Sequence, residues 1–336
     1  SRTVVVDRTP PSVAVSNLAD DQLIRTTEYT VSGTAGDGTG SGLDRVQYSV
    51  NGGSNWTDAL GGANWTVVLT GLTEGLDKPI AFRALDKAGN PSVPVSRTYR
   101  VDTGDPSIAG VTLDPAVVQG YVSWINGNAS LGFTAEDTHA LKSVSITRGG
   151  VNVYSHVFSL TPAEKTFNDT VTLETGALAD GEYEYTITVY DAVDNPFSVS
   201  RTIGLDTFQP ELDVTAPAAG EYVESTSYLI RGTVDDLDGK GVTSLEYSLT
   251  GADGSWLPVA FTGSSWNAAG VDFSGGGEGA KTLHVRASDG LNDPVTETVG
   301  FFYDTAAPTL VEGGAEYPAG IGTEAVVYRT GNFTLA

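Results

Sequence analysis

Short runs in which apolar and polar residues alternate follow one another along the chain, separated by turns rich in Gly, Asn, Asp and Pro. Tyr183, Tyr185, Ile187 and Val189 fall on one parity, with Glu184, Thr186 and Thr188 on the other. Ile80, Phe82 and Ala84 share a face in an earlier run, and Leu283, Val285 and Ala287 do so in a later one. A period of two predicts strands buried on one side, because successive side chains leave a strand on opposite faces. Phe82, Ile187 and Val285 are therefore expected inside, with Arg83, Thr188 and Arg286 outside. No run carries the helical period, so the chain reads as all-β.

The runs are organised into repeats. A strand that ends in Asp and is followed by Pro four residues later occurs at Asp7, Asp102, Asp206 and Asp304, with separations of 95, 104 and 98 residues. About 15 residues before each of the last three lies a second mark, Asp86 to Asn90-Pro91, Asp191 to Asn195-Pro196 and Asp289 to Asp293-Pro294. Gly33-Thr34 and Gly232-Thr233 open acidic loops, and the pairs Trp56/Trp65 and Trp256/Trp266 follow them in the first and third copies. Many short strands in a unit of this length describe a seven-stranded sandwich of the immunoglobulin type. The expected boundaries are 8–105, 106–209 and 210–307. Residues 1–7 are expected to be the last strand of a preceding unit, and 308–336 the start of a fourth.

The Ala84-Leu-Asp86-Lys-Ala-Gly-Asn90-Pro91 mark and the Val6-Asp7-Arg-Thr-Pro-Pro11 linker resemble those of bacterial Ig-like tandem repeats in large surface adhesins and modular secreted proteins. The pairing of an acidic loop with a strand-Asp-x-x-x-Pro linker is also similar to the cadherin plan, although the full cadherin linker motif is missing. The resemblance implies tandem sandwiches in an extended array. It further implies a non-catalytic extracellular stalk or adhesive segment at a bacterial cell surface, with neighbouring Ig-like domains and a host-cell, matrix or glycan ligand as partners.

Composition narrows the function. With 42 acidic against 18 basic residues, a net charge of −24, the surface repels phosphate backbones, which excludes nucleic acid. The absence of cysteine removes disulfides and thiol chemistry and points to a bacterial or archaeal rather than a eukaryotic surface protein. No apolar run is long enough to cross a membrane. His139, His156 and His284 share no spacing and have no acid or nucleophile partner nearby in sequence, so a packing or surface role is expected of them. Asn51-Gly-Gly53 between two strands reads as a hairpin turn. The five tryptophans raise an alternative, an accessory carbohydrate-binding region of a secreted polysaccharide-active enzyme, if their faces are exposed.

Acidic loops carry the remaining chemistry. In a sandwich, the loops after the second strand and before the last lie at the end where the linker enters. This assembles three candidate groups: Asp7 with Asp37, Asp86 and Asn90; Asp102 and Asp105 with Glu136, Asp137, Asp191 and Asp194; and Asp206 with Asp235, Asp236, Asp238, Asp289 and Asp293. Ca²⁺ takes six to eight oxygens, which such groups supply, and Ca²⁺ shared between linker and loops is expected to stiffen the array. The competing reading is that Asp and Asn here are ordinary turn residues bonding their own backbone.

Overall fold

The computed structural model describes Val4, residues 6–237 and residues 239–307. Every regular element among them is a strand. The last expected unit, 308–336, and most of the N-terminal segment lie outside the described residues.

In the first sandwich the strands are β1 (Ser12–Val15), β2 (Gln22–Ile24), β3 (Glu28–Gly36), β4 (Leu43–Ser49), β5 (Thr57–Asp58), β6 (Leu60–Gly61), β7 (Asn64–Thr70), β8 (Gly75–Asp86) and β9 (Val95–Val101). One sheet has the order β1-β3-β7-β6 and the other β2-β9-β8-β4-β5. All pairings are antiparallel except β2 with β9, which is parallel. The third sandwich repeats the four- and five-stranded sheets, the second divides into sheets of three and six strands, and the parallel pair returns in both. Val122–Ile125 runs parallel to Pro196–Leu205 in the second sandwich, and Tyr222–Val223 runs parallel to Val295–Tyr303 in the third.

Each sandwich closes over its own core, with buried members drawn from 18–101, 125–205 and 214–303 respectively. The alternation read from sequence is the alternation found. Phe82, Ile187 and Val285 are buried, while Arg83, Thr188 and Arg286 lie partly open on the other face.

The repeated Gly and Trp form one packing device. Gly33 on β3 stands opposite Trp65 on β7, and the indole lies across it. A Cβ at Gly33 would fall 2.3 Å from Trp65 Cζ2 and 2.0 Å from the carbonyl oxygen of Ala14. Gly232 and Trp266 repeat the arrangement, with 2.6 Å to Trp266 Cζ2 and 1.9 Å to the Asp213 carbonyl oxygen. The second sandwich solves the problem elsewhere: Trp124 lies against Gly204, its partner in the parallel pair.

Candidate metal centres at the domain junctions

Three segments meet at the entrance of each sandwich: the incoming linker, the β3–β4 connection and the start of the β8–β9 connection, with their counterparts in the later copies. At the second and third junctions the linker aspartates, Asp102 and Asp206, follow the last strand of the preceding sandwich, which ends at Val101 and Leu205. The second aspartate opens the connection after β3, and the third closes β8. Their carboxylates converge as Asp7/Asp37/Asp86, Asp102/Asp137/Asp191 and Asp206/Asp236/Asp289, and in each group one oxygen per residue lies within 4.8 Å of the others.

Backbone donors hold the aspartates in place. Ser41 N donates to Asp7 Oδ2 (2.5 Å) and Gly42 N to Asp37 Oδ2 (2.7 Å). In the third group Lys240 N donates to Asp206 Oδ2 (2.9 Å) and Gly241 N to Asp236 Oδ2 (2.6 Å). The glycine before these donors leaves room for the carboxylates: a Cβ at Gly40 would lie 2.4 Å from Asp37 Oδ2, and one at Gly239 would lie 2.8 Å from the Asp206 carboxyl carbon.

An asparagine ties the linker down. Asn90 Nδ2 donates to Asp86 Oδ2 (2.7 Å) and to the Asp7 carbonyl (3.2 Å). Asn195 Nδ2 donates to Asp191 Oδ2 (2.7 Å) and to the Gly104 carbonyl (3.1 Å). In the third copy Asn292 makes these bonds, to Asp289 Oδ2 and to the carbonyls of Asp206 and Phe208.

Other residues nominated from sequence stand apart. Asp105 is exposed on the linker, and Glu136 and Asp235 are exposed at their strand ends. Each of the latter two precedes a converging aspartate (Asp137, Asp236), and strand alternation sends neighbouring side chains to opposite faces, so only one of the two turns inward. Asp235 Oδ1 instead accepts the Leu237 N–H. Asp194 sits at φ +69° in its turn and pairs outward with Lys142. Asp293 is exposed, because Asn292, one residue earlier, has taken the tethering position. Asp238 lies outside the described residues.

The groups are rich in negative charge. Among the described residues, no Lys or Arg forms an ion pair with any of the nine carboxylates. Burial raises Asp102 to about 7, and the neighbouring carboxylates of Asp137, Asp191 and Glu74 push the same way. Asp236 is raised to about 6, first by burial and then by Asp206 and Asp289 against the opposing Gly241 N–H. Burial likewise lifts Asp191 and Asp206. The half-buried Asp7 is held low by the N–H groups of Thr9 and Ser41. Two buried oxygens, Asp37 Oδ1 and Asp102 Oδ2, have no hydrogen-bond partner among the described residues. In the third group Lys240 supplies a resident cation; its side chain is buried and Nζ donates to the Asp289 carbonyl.

These groups fit Ca²⁺. Oxygens bound to one ion at about 2.4 Å can stand no further apart than about 4.8 Å, and the donors are hard carboxylates. One oxygen of each loop aspartate serves the backbone, as a turn residue would, yet the linker aspartates Asp102 and Asp206 come from the end of the preceding sandwich.

Sequence reasoning missed two residues at the second junction. Glu74, in the β7–β8 turn of the first sandwich, and the buried His139, in the second, both reach Asp102. They lie far apart in sequence; Glu74 belongs to an acid-Gly pair that recurs at Asp180-Gly181 and Glu278-Gly279, whereas no motif marks His139.

The tryptophans are not arranged as a platform. Trp65, Trp124 and Trp266 are buried, and Trp56 and Trp256 each carry a guanidinium on a face, from Arg83 and Arg286, both at 4.2 Å.

No protein-family model matches the chain, and neither does any curated protein sequence. Among solved structures, the chain is similar to a three-Ig fragment of titin, domains I67–I69 in an E-to-A variant. The TM-score is 0.52 and the identity 11%, covering 89% of this chain and 99% of that one. A tetra-tandem repeat from the extending region of a large adhesion protein gives a TM-score of 0.36 at 19% identity, covering 88% of this chain and 74% of that one. Fibronectin(III)-like modules of Clostridium thermocellum CbhA give 0.33 at 14%, covering 58% and 94%. The titin likeness shows the fold, tandem immunoglobulin-like sandwiches, and a fold of this kind hosts many functions.

Proposed function

We propose that the chain is a non-catalytic stalk or adhesive spacer of a bacterial cell-surface protein, its consecutive sandwiches held in fixed orientation by Ca²⁺ at the junctions. The observation that carries this reading is the threefold return of one carboxylate arrangement, each time joining the linker to two loops of the next sandwich. An enzyme needs one such site; a series of similar joints serves a structure built by repetition. Without a cation the crowded carboxylates repel one another and their burial is costly. With one, the same charges become bonds between linker and loops, and the proline-bearing linker has little freedom left. The sugar-binding alternative draws no support from the tryptophans, three of which are buried and two stacked under arginine.

Small-angle scattering and thermal melting in calcium and in chelator test the reading. Calcium at 100 times its Kd should stabilise a junction by about 2.7 kcal/mol, since it binds the native state alone. Both the melting temperature and the maximum dimension should rise, and Asp37→Asn should reduce the gain. If millimolar calcium moves neither quantity, the calcium joint is wrong, although the spacer reading would stand.

A further inference from the structure

The second junction holds a histidine that the oxygen-only description leaves unused. The His139 side chain is fully buried, with Nδ1 3.0 Å from Glu74 Oε1 and 3.6 Å from Asp102 Oδ1. One ligand atom from each of the three residues lies within 4.8 Å of the other two. We propose that Glu74, Asp102 and His139 form a second metal site at this junction, selective for a zinc-class divalent ion and linking the first sandwich to the second.

Three observations carry it. Neither nitrogen of His139 has a hydrogen-bond partner among the described residues, and Asp102 Oδ2 has none either. At 3.0 Å the Glu74 oxygen is close enough for a hydrogen bond, so it fails as one by direction: it lies off the axis of the Nδ1–H bond. A charge-assisted hydrogen bond would place the oxygen on that axis. A metal on the axis places its other ligands off it, at separations of about 3.3 Å for a tetrahedral ion with bonds near 2.0–2.1 Å, and the observed 3.0 and 3.6 Å bracket that spacing.

The second observation is how Glu74 is held. Its Oε2 accepts the backbone N–H groups of Thr103 (2.8 Å) and Gly104 (3.2 Å), which fixes the carboxylate and leaves Oε1 towards His139. The turn carboxylates Asp180 and Glu278 cap Thr207 and Thr305 in the same way at the later linkers. The cap is therefore general, and only the histidine is particular to this junction.

The third is donor chemistry. Imidazole nitrogen with carboxylate oxygen suits zinc and its first-row neighbours, whereas Ca²⁺ takes oxygen alone. Asp102 belongs to both groups, so it would bridge a zinc-class ion and the Asp137/Asp191 side.

Cobalt(II) and zinc titrations of the full, untagged chain after chelator treatment, at pH 7.5, provide the test. One equivalent of Co²⁺ should bind with visible d–d bands, and paramagnetic shifts should reach the His139 imidazole while sparing His156 and His284. Zinc should displace the cobalt. Glu74→Gln, a partly exposed position that should fold normally, and His139→Gln should each weaken binding at least tenfold. Asp37→Asn and Asp236→Asn, which lie at the other junctions, should leave it unchanged. Millimolar calcium should not abolish the bands, so the result stands apart from that of the calcium test. The proposal is overturned if no cobalt or zinc binds below about 100 μM, a weak affinity for a site with three protein ligands, or if Glu74→Gln binds as the parent does.

Discussion

Gly33 and Gly232 show how a single missing Cβ can set the packing of a sandwich. Each lies beneath an indole and beside a carbonyl oxygen of the neighbouring strand, and a methyl group at Gly232 would meet the Asp213 oxygen at 1.9 Å. The indole could shift, but the strand carbonyl is fixed by the sheet. Gly232→Ala should therefore cost the third sandwich about 3 kcal/mol, at the upper end for overpacking. Chemical denaturation followed by Trp266 fluorescence checks this, and an unchanged midpoint would mean that the β-sheet yields there. The first sandwich should respond alike to Gly33→Ala.

The strands and loops separate what was legible in the sequence from what was not. The long strands before each Asp-to-Asn/Asp-Pro mark were readable because alternation is a local property, and Phe82, Ile187 and Val285 are all buried as it demands. The linker aspartates and the three strand-end aspartates were readable from spacing. Which of two adjacent acids turns inward was not extracted, although strand parity bears on Asp235 against Asp236. The mark puts Asp293 where the earlier copies have Asn90 and Asn195, but the loop from Asp289 is one residue tighter and brings Asn292 to the linker carbonyls instead. Glu74 carried a repeat signal, since an acid followed by Gly precedes the long strand at Glu74, Asp180 and Glu278, but its meeting with His139 was not legible, because docking of two sandwiches brings the pair together. The tether gives a sharp contrast. Asn292→Ala should lower stability in the third sandwich by about 1–2 kcal/mol through lost hydrogen bonds, whereas Asp293→Ala should stay within about 0.5 kcal/mol. Equal effects in urea melts would show that Asn292 has no special hold on the linker.

Across the whole molecule, the junctions are variations on one joint. The first has three carboxylates with an unpartnered Asp37 oxygen, the second adds an imidazole, and the third has Lys240 close by. A graded dependence on added cations follows, least at the third joint, where a positive charge is already built in. The parallel pairing inside each sandwich has a further consequence, which concerns force. A pull along the chain, once the first strand has come away, draws the parallel-paired strand one way and the last strand the other. Because the two run parallel, that pull slides them past each other and loads all their hydrogen bonds together, so they cannot open one at a time. The number of paired residues then orders resistance: four in the second sandwich, three in the first and two in the third. In single-molecule stretching the third should yield at the lowest force and the second at the highest, making the third the element that lengthens first under load.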